Sequence, residues 1–437
     1  MVKTHFLVTS VVSWYTIPST MPNFIVNGGK KLRGEVTING SKNAALPIIC
    51  ASLLSKEKTT LENIPDIEDI HSIIKILEAF GAGIKFKNHV LEIDPSDLHL
   101  RAIPNNLVNK MRASILILGG LLPRFGEIKM DFPGGCVLGK RSVAAHTHAF
   151  KELGCEIIDD QKGLHIKCKK LKGKKVILPE LSVTATENAI MAAVLAEGKT
   201  EIRLAAAEPH VQELCHFLKK MGAKIDGIGT NNVKIEGVEK LNGTNFNLTG
   251  DYLEAGTFAI AATATKGELI INGINPDHLD SFWQKLEEIG GKFKVFSDSV
   301  HIYPAKELVA TKILRTAVYP SFPTDLQAPF TVLLTQARGV SKVFETLFEG
   351  RLNYLFELEK MGAHIEFLNP NQALIIGPSK LKSVSISSCD IRAGAAMVIA
   401  ALITEGKTEI SNVYYIDRGY ERLDEKLRSI GADIERI

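Results

Sequence analysis

Hydrophobic positions along this chain of 437 residues repeat in the order helix, glycine, strand. The repeated unit is a helical stretch that ends in apolar-x-x-apolar-glycine and continues into a short alternating strand. It recurs about every 70 residues. The glycines at these points are Gly81, Gly154, Gly222, Gly290, Gly362 and Gly431. A glycine in this position predicts a left-handed helix C-cap that leads into a strand. The pattern therefore predicts six similar units.

A second marker has the same spacing and is a glycine between an Ala/Leu-rich helix and the next strand. It is found at Gly126, Gly198, Gly267, Gly339 and Gly406, whereas Glu57 stands there in the first unit. The helices before it are apolar on most sides, as in residues 191–196 and 395–402. Such a helix is buried. We therefore expect each unit to hold a buried helix, an amphipathic helix and short strands.

Two architectures are compatible with six repeats. A solenoid is one, but solenoid repeats usually run about 20–50 residues and contact only their neighbours. Units of about 70 residues with two helices and several strands are small subdomains instead. A chain of 437 residues also suits two domains of about 200 residues each. We therefore predict an α/β protein of two similar domains, with a cleft between them for a polar ligand.

Composition narrows the class of protein. The chain is 45% hydrophobic and 23% charged, which is typical of a soluble globular protein. A net charge of +3 is too small to indicate nucleic-acid binding, but it allows a local basic pocket for a phosphorylated small molecule. Six scattered cysteines without a C-x-x-C pair argue against a disulfide framework and a zinc site. We expect a cytoplasmic protein that uses neither a metal nor a cofactor.

The first 20 residues differ from the rest. They carry an apolar patch that is too short and too polar to span a membrane and is a poor signal peptide. We interpret residues 1–20 as a disordered extension or as the product of a misplaced start codon, because Met21 opens a sequence that reads as a fresh start. No other segment has 18 uninterrupted apolar residues, so no membrane association is expected.

Candidate chemistry begins at residues 133–141, which read Pro-Gly-Gly-Cys-Val-Leu-Gly-Lys-Arg. Glycines allow the backbone to approach a ligand closely. The cations Lys140 and Arg141 favour the thiolate of Cys136 and lower the pKa of a cysteine from about 8.5 into the reactive range. From these residues alone, Cys136 is either a reactive thiol or an idle cysteine in a surface turn.

Charged residues also stand in equivalent connections of the repeat. Lys42 and Asn43 precede a buried helix, whose N-terminus binds anions, although Ser41 as a simple N-cap beside a solvated lysine explains the same pattern. Asp325 begins another helix and is either an N-cap or a general base. Arg112 lies in an apolar segment and needs a carboxylate or a ligand. The other candidates are Glu349, Arg351, Asp390, Arg392, Asp417, Arg418, Glu421 and Arg422.

Any one of these could form a surface ion pair worth under about 1 kcal/mol. Their occurrence in equivalent connections favours a shared charged site.

Together the motifs resemble the family of UDP-N-acetylglucosamine 1-carboxyvinyltransferases, within the superfamily of EPSP synthase. The segments SKNAALP, KMRAS, PGGCVLGKR, FPTDLQA, FEGR, DIRAG and IDRGYER follow the order and spacing of that family from about Met21 to Ile437. The resemblance implies an inside-out α/β barrel of two domains, each with three βαβαββ units and buried helices. It implies one domain at residues 42–249 and a discontinuous one formed by residues 21–41 and 250–437.

The resemblance also implies an activity and no cofactor. Enolpyruvate would pass from phosphoenolpyruvate to the 3-hydroxyl of UDP-N-acetylglucosamine with release of phosphate, which is the first committed step of peptidoglycan synthesis. Cys136 would protonate the methylene of phosphoenolpyruvate, and Asp325 would accept the proton of the sugar hydroxyl. The phosphate and carboxylate of phosphoenolpyruvate would be held by Lys42, Arg112, Arg141 and Arg418.

The resemblance implies further contacts to the acceptor. The sugar and the reaction cleft would be lined by Asn43, Asp325, Leu347, Arg351, Asp390 and Arg392. A diphosphate would meet Ser182 and the amide of Val183. The expected partners are these two substrates, and the expected state is a monomer or a weak oligomer.

The chain departs from the usual pattern of the family where the nucleotide is recognised. Ser142, Val143 and Ala144 stand in place of Pro-Val-Asp, Glu180 in place of a lysine and Thr184 in place of a glycine. Because the reacting groups are intact, we expect the same acceptor. A different or modified acceptor, or a regulatory paralogue that binds a UDP-sugar, are the alternatives.

Overall fold

The structure is a computed structural model that describes residues 22–99, 105–134, 142–160 and 163–437. The predicted extension at residues 1–20 and most of the cysteine loop, residues 135–141, lie outside this range. Helices and strands alternate along the described chain, which confirms the predicted α/β class. None of the described helices is both long and apolar enough to cross a membrane.

In the first part of the chain the elements are β1 (Phe24–Gly28), β2 (Arg33–Thr37), α1 (Lys42–Ala51), β3 (Thr59–Glu62), α2 (Glu68–Ala79), β4 (Gly83–Lys87), β5 (Val90–Asp94), α3 (Asn105–Val108), α4 (Ile117–Phe125), β6 (Glu127–Asp131), α5 (Ala144–Glu152), β7 (Glu156–Asp160), β8 (Gly163–Lys167), β9 (Lys175–Ile177), α6 (Val183–Ala193), β10 (Lys199–Arg203), α7 (Pro209–Lys220), β11 (Lys224–Asp226), β12 (Asn232–Glu236) and β13 (Asn245–Asn247).

In the second part they are α8 (Tyr252–Ala264), β14 (Glu268–Asn272), α9 (Asp280–Glu288), β15 (Lys292–Val295), β16 (Ser299–Tyr303), β17 (Ile313–Arg315), α10 (Gln327–Thr335), β18 (Gly339–Phe344), α11 (Leu355–Lys360), β19 (His364–Asn369), β20 (Gln372–Gly377), β21 (Ser385–Ser387), α12 (Ile391–Ile403), β22 (Gly406–Ser411), α13 (Tyr414–Asp417), α14 (Leu423–Ser429) and β23 (Ile434–Arg436). Short 3-10 helices lie at Ser52–Leu54, Arg112–Leu116, Pro276–Leu279 and Thr324–Leu326.

The described strands form six small sheets of closely similar build. Their strand orders are β13-β3-β5-β4, β6-β8-β7, β11-β12-β10-β9, β15-β16-β14-β2, β17-β18-β20-β19 and β21-β22-β1-β23. Each four-stranded sheet has one parallel pair and two antiparallel pairs, as β9, β10, β12 and β11 show. This recurrence confirms that the sequence repeat is a structural repeat.

The first two strands belong to the far end of the chain. β1 pairs with β22 and β23, so that Phe24 lies opposite both Ile410 and Arg436. β2 runs parallel to β14. A solenoid would pair only neighbouring repeats, so these long-range pairs exclude it.

The described residues bury two separate hydrophobic cores. One is built from residues between Ala44 and Leu248, with the buried helices α1, α4 and α6 at its centre. The other combines residues between Phe24 and Ile38 with residues between Tyr252 and Ile434, around α8, α10 and α12. The helices predicted to be buried, α6 and α12, are buried on all sides over most of their length. The exact domain boundaries stay a prediction, which the two cores support.

The glycine markers behave as the sequence predicts. All six glycines that close the amphipathic helices adopt φ between 92° and 106°, in the left-handed region. A residue with a Cβ is strained there, so the position selects glycine. The C-cap prediction is therefore confirmed.

The chain passes between the two cores at two adjacent places. Gly40 and Gly250 face each other in an antiparallel bridge, flanked by backbone hydrogen bonds from Ser41 to Thr249 and from Asp251 to Asn39 at 2.9 and 2.8 Å. A Cβ on Gly40 would lie 1.7 Å from a backbone oxygen, and one on Gly250 would lie 2.0 Å from another. Both positions therefore require glycine for close approach rather than for a positive φ.

Candidate active site

A cleft of about 660 Å³ lies between the two cores. The site residues that the resemblance implies, where they fall in the described part of the chain, all line it, namely Lys42, Asn43, Arg112, Ser182, Val183, Asp325, Leu347, Arg351, Asp390, Arg392 and Arg418. Four further candidates from the charged connections, Glu349, Asp417, Glu421 and Arg422, do not line it. Cys136 and Arg141 lie outside the described residues, so their roles stay predictions. The helix starts of α1, α6 and α12 and the segment before α10 carry most of this lining.

One pair of cations in the cleft shares a carboxylate. Lys42 Nζ lies 2.7 Å from Asp69 Oδ2, and Arg418 Nε lies 2.9 Å from Asp69 Oδ1. Ser41 caps α1 by accepting a hydrogen bond from the amide of Ala44 at 3.4 Å, and Lys42 is only 8% exposed. Ser41 is thus the N-cap residue, as one interpretation expected. The same interpretation expected Lys42 to be solvated, and that part is wrong because Lys42 is buried.

The charges of this trio depend on one another. Burial lowers the pKa of Lys42, and Asp69 opposes that effect. Burial alone would raise the pKa of Asp69, but Lys42 and Arg418 hold it below its usual range. Since Asp69 comes from α2 in the first core and Arg418 follows α13 in the second, the trio also joins the two sides of the cleft.

Asp325 lies between two arginines. Arg351 Nη2 donates to Asp325 Oδ1 at 2.7 Å, and Arg392 Nε donates to Asp325 Oδ2 at 3.1 Å. Both arginines are about 5% exposed, whereas the side chain of Asp325 is 25% exposed. Pro323, not Asp325, precedes the 3-10 helix as its N-cap. The N-cap interpretation of Asp325 is therefore wrong, and its carboxylate is available to the cleft.

The electrostatics of Asp325 follow from these contacts. Burial would raise its pKa, but Arg392 and Arg351 hold the pKa well below the usual range of an aspartate. Asp390 caps α12 by accepting hydrogen bonds from the amides of Arg392 and Ala393 at 2.8 and 2.9 Å. The cap fixes the start of the helix that carries Arg392.

Arg112 reaches the segment that follows the cysteine loop. It is half-buried, and its Nη2 donates to the backbone oxygen of Ser142 at 2.6 Å. Ser142 Oγ in turn accepts from the amide of Ala144 at 3.0 Å, and Val143 is the N-cap residue of α5. The three residues that depart from the family pattern therefore shape the start of α5 and hold Arg112 by a backbone oxygen.

The start of α6 forms another part of the lining. Ser182 is the N-cap residue but accepts no capping hydrogen bond through its side chain, and Val183 is the first helical residue. Thr184 Oγ1 lies 3.2 Å from His146 Nε2. Burial, with Arg112 adding to it, lowers the pKa of His146 to about 3, so its imidazole is neutral. Glu180 is exposed at the rim.

Sequence reasoning missed several residues of the lining. Asp69 had a usable signal, since it lies on the apolar stripe of α2 with Ile73 and Ile76, where a carboxylate needs a partner. Other missed residues with titratable side chains include His146, Glu187, Glu208, His210, Tyr252 and His278. Their partners are distant in sequence, so no local pattern marks them.

The described residues contain no group of three or more His, Cys, Asp or Glu side chains placed to hold a metal ion.

Comparison with known proteins gives consistent results. A family model described as EPSP synthase (3-phosphoshikimate 1-carboxyvinyltransferase) matches residues 26–427. A UDP-N-acetylglucosamine 1-carboxyvinyltransferase of Halothermothrix orenii is 42% identical over 417 residues, covering 95% of this chain and 100% of that protein. One of Chlorobium limicola is 43% identical over 419 residues, covering 95% and 98%.

Solved structures show the same fold. The enolpyruvyl transferase NikO from Streptomyces tendae superposes with a TM-score of 0.86 at 23% identity, covering 95% of this chain and 99% of that one. EPSP synthase from Acinetobacter baumannii superposes with a TM-score of 0.74 at 19% identity, covering 95% and 100%.

Proposed function

The chain belongs to the family of UDP-N-acetylglucosamine 1-carboxyvinyltransferases, and we propose that it transfers enolpyruvate from phosphoenolpyruvate to the 3-hydroxyl of UDP-N-acetylglucosamine. Phosphate is the second product, and the enolpyruvyl sugar enters peptidoglycan synthesis. The observation that carries the proposal is a cleft between two cores in which two carboxylates each lie between two cations. Such a site suits a small anion beside a hydroxyl that must lose its proton.

The cations supply the donor subsite. Lys42, Arg112 and Arg418 would hold the phosphate and carboxylate of phosphoenolpyruvate, together with Arg141, which lies outside the described residues. Hydrogen bonds to charged groups contribute about 1.5–3 kcal/mol each, so several can hold this small anion. Asp69 keeps two of these cations in place, because it bonds to both.

Asp325 supplies the base for the acceptor hydroxyl. With both arginines bound to it, its carboxylate is a weak base. Burial would raise its pKa, but Arg392 and Arg351 outweigh this effect and hold the pKa low. An anionic group that binds those arginines takes up part of their charge, and the pKa of Asp325 then rises. The base thus becomes effective once the substrates are bound.

Cys136 supplies the acid in this scheme. Its thiol gives a proton to the methylene carbon, which leaves an oxocarbenium-like carbon for the hydroxyl oxygen to attack. The same thiolate takes a proton back from that methyl group as the C–O bond to phosphate breaks, and the hydroxyl proton held by Asp325 passes to the leaving phosphate, so both side chains return to their starting state. This role rests on the cysteine loop and the family resemblance, because residues 135–141 lie outside the described range.

We also propose the form and the boundaries of the two domains, as the family resemblance implies them. Each domain is an inside-out α/β barrel of three βαβαββ units, with boundaries at residues 42–249 for one and at 21–41 with 250–437 for the other. The separate cores and the pairing of β1 and β2 with distant strands support this division. The reaction takes place in the cytoplasm, and the enzyme is a monomer or a weak oligomer.

An acceptor panel tests the function directly. Purified protein is expected to release phosphate only when phosphoenolpyruvate and UDP-N-acetylglucosamine are both present. Release with another acceptor but not with this one would overturn the specificity and leave the enolpyruvyl chemistry. Tight binding of the nucleotide sugar with no release from any acceptor would support a regulatory paralogue instead.

A further inference from the structure

Two cysteines of the first core lie opposite each other at the end of a strand pair. β7 and β8 are antiparallel with Glu156 opposite Lys167, so the next pair along this ladder is Cys155 and Cys168. Both are buried, at 5% and 7% exposure, and both are free thiols. Side chains of directly opposite residues in an antiparallel pair point to the same face of the sheet. We call these two residues the cysteine pair.

The backbone around the cysteine pair suits a disulfide. The amide of Cys155 donates to the oxygen of Phe150 at 3.0 Å, and the amide of Cys168 donates to the oxygen of Gly126 at 2.6 Å, so neither amide bonds to the other cysteine. Opposite residues that exchange no backbone hydrogen bonds have their Cα atoms about 4.5 Å apart. A disulfide needs a Cα separation of about 4.4–6.8 Å, so the bond fits near the lower limit of this range.

The equivalent positions of the other five units hold no cysteine. In each of them the strand register, extended by one position, places the residue after the C-cap glycine opposite a glycine or a proline. These pairs are Ala82 with Pro95, Ala223 with Gly237, Gly291 with Pro304, Ala363 with Gly377, and Ala432 with Gly28. The fold therefore requires no sulfur at either place. Two cysteines that face each other in one unit alone point to a chemical role of the pair.

The environment of the cysteine pair sets how fast it reacts. Burial raises the pKa of the Cys155 thiol well above its usual range, and a side-chain hydrogen bond with Cys168 raises it further. Because the thiolate is the nucleophile, attack on an oxidant is slow at neutral pH. Once one sulfur carries an oxidant, the second sulfur is already beside it and the next step is intramolecular. The cysteine pair therefore suits sustained rather than brief oxidation.

We propose that the cysteine pair is a redox site, at which a low-molecular-weight disulfide oxidises Cys155 and Cys168 to a reversible cross-strand disulfide. One cysteine thiolate attacks the small disulfide and releases half of it as a thiolate, which leaves a mixed disulfide on the protein. The second cysteine thiolate then attacks the protein sulfur of that bond and releases the other half. One S–S bond breaks and one forms, and the two cysteine protons pass through water to the released thiolates. The inference does not depend on the proposed function.

The new bond would join the end of a helix to the end of a strand. Cys155 follows Gly154, which closes α5, and Cys168 follows β8. The amide of Lys172 donates to the oxygen of Leu153 at 2.9 Å, so the segment after β8 already lies against the end of α5. A cross-link that closes a short loop restricts the unfolded chain, so we expect the oxidised protein to be the more stable form.

Peptide mapping in glutathione buffers tests the redox site. The full chain is incubated overnight at pH 7 and at pH 8 in mixtures of reduced and oxidised glutathione, quenched with acid and digested without a reductant. Mass spectrometry is expected to find the peptides of Cys155 and Cys168 linked, with the loss of two hydrogen atoms. The linked fraction is expected to grow faster at pH 8, because more thiolate is present, and dithiothreitol is expected to restore both thiols.

Matched variants show which thiols carry the effect. Cys155→Ala is expected to fold, because alanine stands at the equivalent place in four other units, and its Cys168 is expected to stay free or to carry one glutathione. Cys215→Ala removes another buried thiol of the first core and is expected to leave the linked peptides unchanged. The melting temperature of the oxidised wild type is expected to exceed that of the reduced protein by about 3–10 °C. Cys155→Ala treated in the same way is expected to show no such rise.

Each outcome decides the proposal. Two thiols that stay free in the most oxidising buffer, or that carry one glutathione each, would overturn the redox site. A link from either cysteine to a different cysteine would overturn it as well. A bond between Cys155 and Cys168 that raises the melting temperature no more than the same treatment of Cys155→Ala would overturn the stabilising cross-link. If Cys155→Ala does not fold, Cys168→Ala takes its place in these comparisons.

Discussion

At the scale of single residues, Arg392 is the best-positioned group in the cleft. Its amide donates to Asp390, its Nε donates to Asp325, and its guanidinium lies over the ring of Tyr420 at 5.2 Å. The Tyr420 hydroxyl is held in turn by Thr257 at 2.9 Å. The backbone amide, the Nε atom and the guanidinium plane of this arginine are all held in place. It therefore loses little entropy on binding an anion and can orient both Asp325 and a substrate.

Removing the carboxylate of Asp325 tests its role as the base. Asp325→Asn is expected to lower kcat for phosphate release by about 10²- to 10⁴-fold. Arg351 and Arg392 lose their counter-ion as well, so the rates are compared at a temperature at which circular dichroism shows both proteins folded. Asp433→Asn is the control, because Asp433 forms an exposed ion pair with Lys30 away from the cleft. A variant with kcat within about twofold of the wild type would rule out Asp325 as the base.

Cys136 is tested by covalent labelling. We expect the epoxide fosfomycin to inactivate the enzyme and to modify Cys136, since Lys140 and Arg141, four and five residues further along the sequence, favour its thiolate. Cys389 is an internal control, because burial raises the pKa of its thiol to about 11. Peptide mass spectrometry locates the adduct. Recovery of unmodified Cys136 after long incubation with the nucleotide sugar present would contradict the assigned role.

At the scale of elements, α7 is tied to the passage between the cores. Glu213 on this helix accepts hydrogen bonds from the amide of Thr249 at 2.7 Å and from its hydroxyl at 2.8 Å. Burial raises the pKa of Glu213 to about 7, although both bonds from Thr249 favour its charged form. The carboxylate is therefore paired but pays a desolvation penalty when it ionises.

This penalty predicts a pH dependence of stability. The pKa of Glu213 is about 7 in the folded protein and about 4.3 in an unfolded chain, so the folded state holds more protons between these values. Its contribution to stability is fully present below about pH 4.3 and is lost as the pH rises through about 7, by about 4 kcal/mol in all. In Glu213→Gln this loss is absent. Urea unfolding at pH 5 and pH 8 measures the difference, and identical changes in both proteins would contradict it.

The elements also show what the sequence can predict. The C-cap glycines and the buried helices were predictable because a left-handed turn and an all-round apolar helix are set by adjacent residues. The trio of Lys42, Asp69 and Arg418 was only partly predictable, since Arg418 lies 349 residues from its partner Asp69 along the chain. The contact between His210 and Tyr252 was not predictable, because no local pattern brings a helix of the first core against the start of α8 in the second.

At the scale of the whole molecule, the second core depends on the start of the chain. β1 is an inner strand of its sheet, between β22 and β23, and β2 completes another. The backbones of Asn23 and Ile437 exchange two hydrogen bonds, at 2.9 and 3.0 Å. The two ends of this discontinuous unit therefore lie side by side.

That arrangement predicts how the second domain folds. Residues 250–437 alone lack an inner strand and are expected to be unfolded or aggregated, because β22 and β23 lose their common partner. Joining residue 437 to residue 22 through a short glycine-serine linker and ending at residue 41 supplies β1 and β2. Circular dichroism and thermal unfolding are expected to show a cooperative transition only for the joined form. Equal folding of both would contradict the discontinuous domain.

The bridge between Gly40 and Gly250 has a mechanical consequence. Two chain segments cross between the cores side by side and are hydrogen-bonded to each other. They therefore act as one two-stranded connection and not as two independent linkers. They can bend together about one axis but resist torsion and sliding of one core past the other. Any movement of one core relative to the other would therefore follow one path and return the same side chains to the same partners across the cleft.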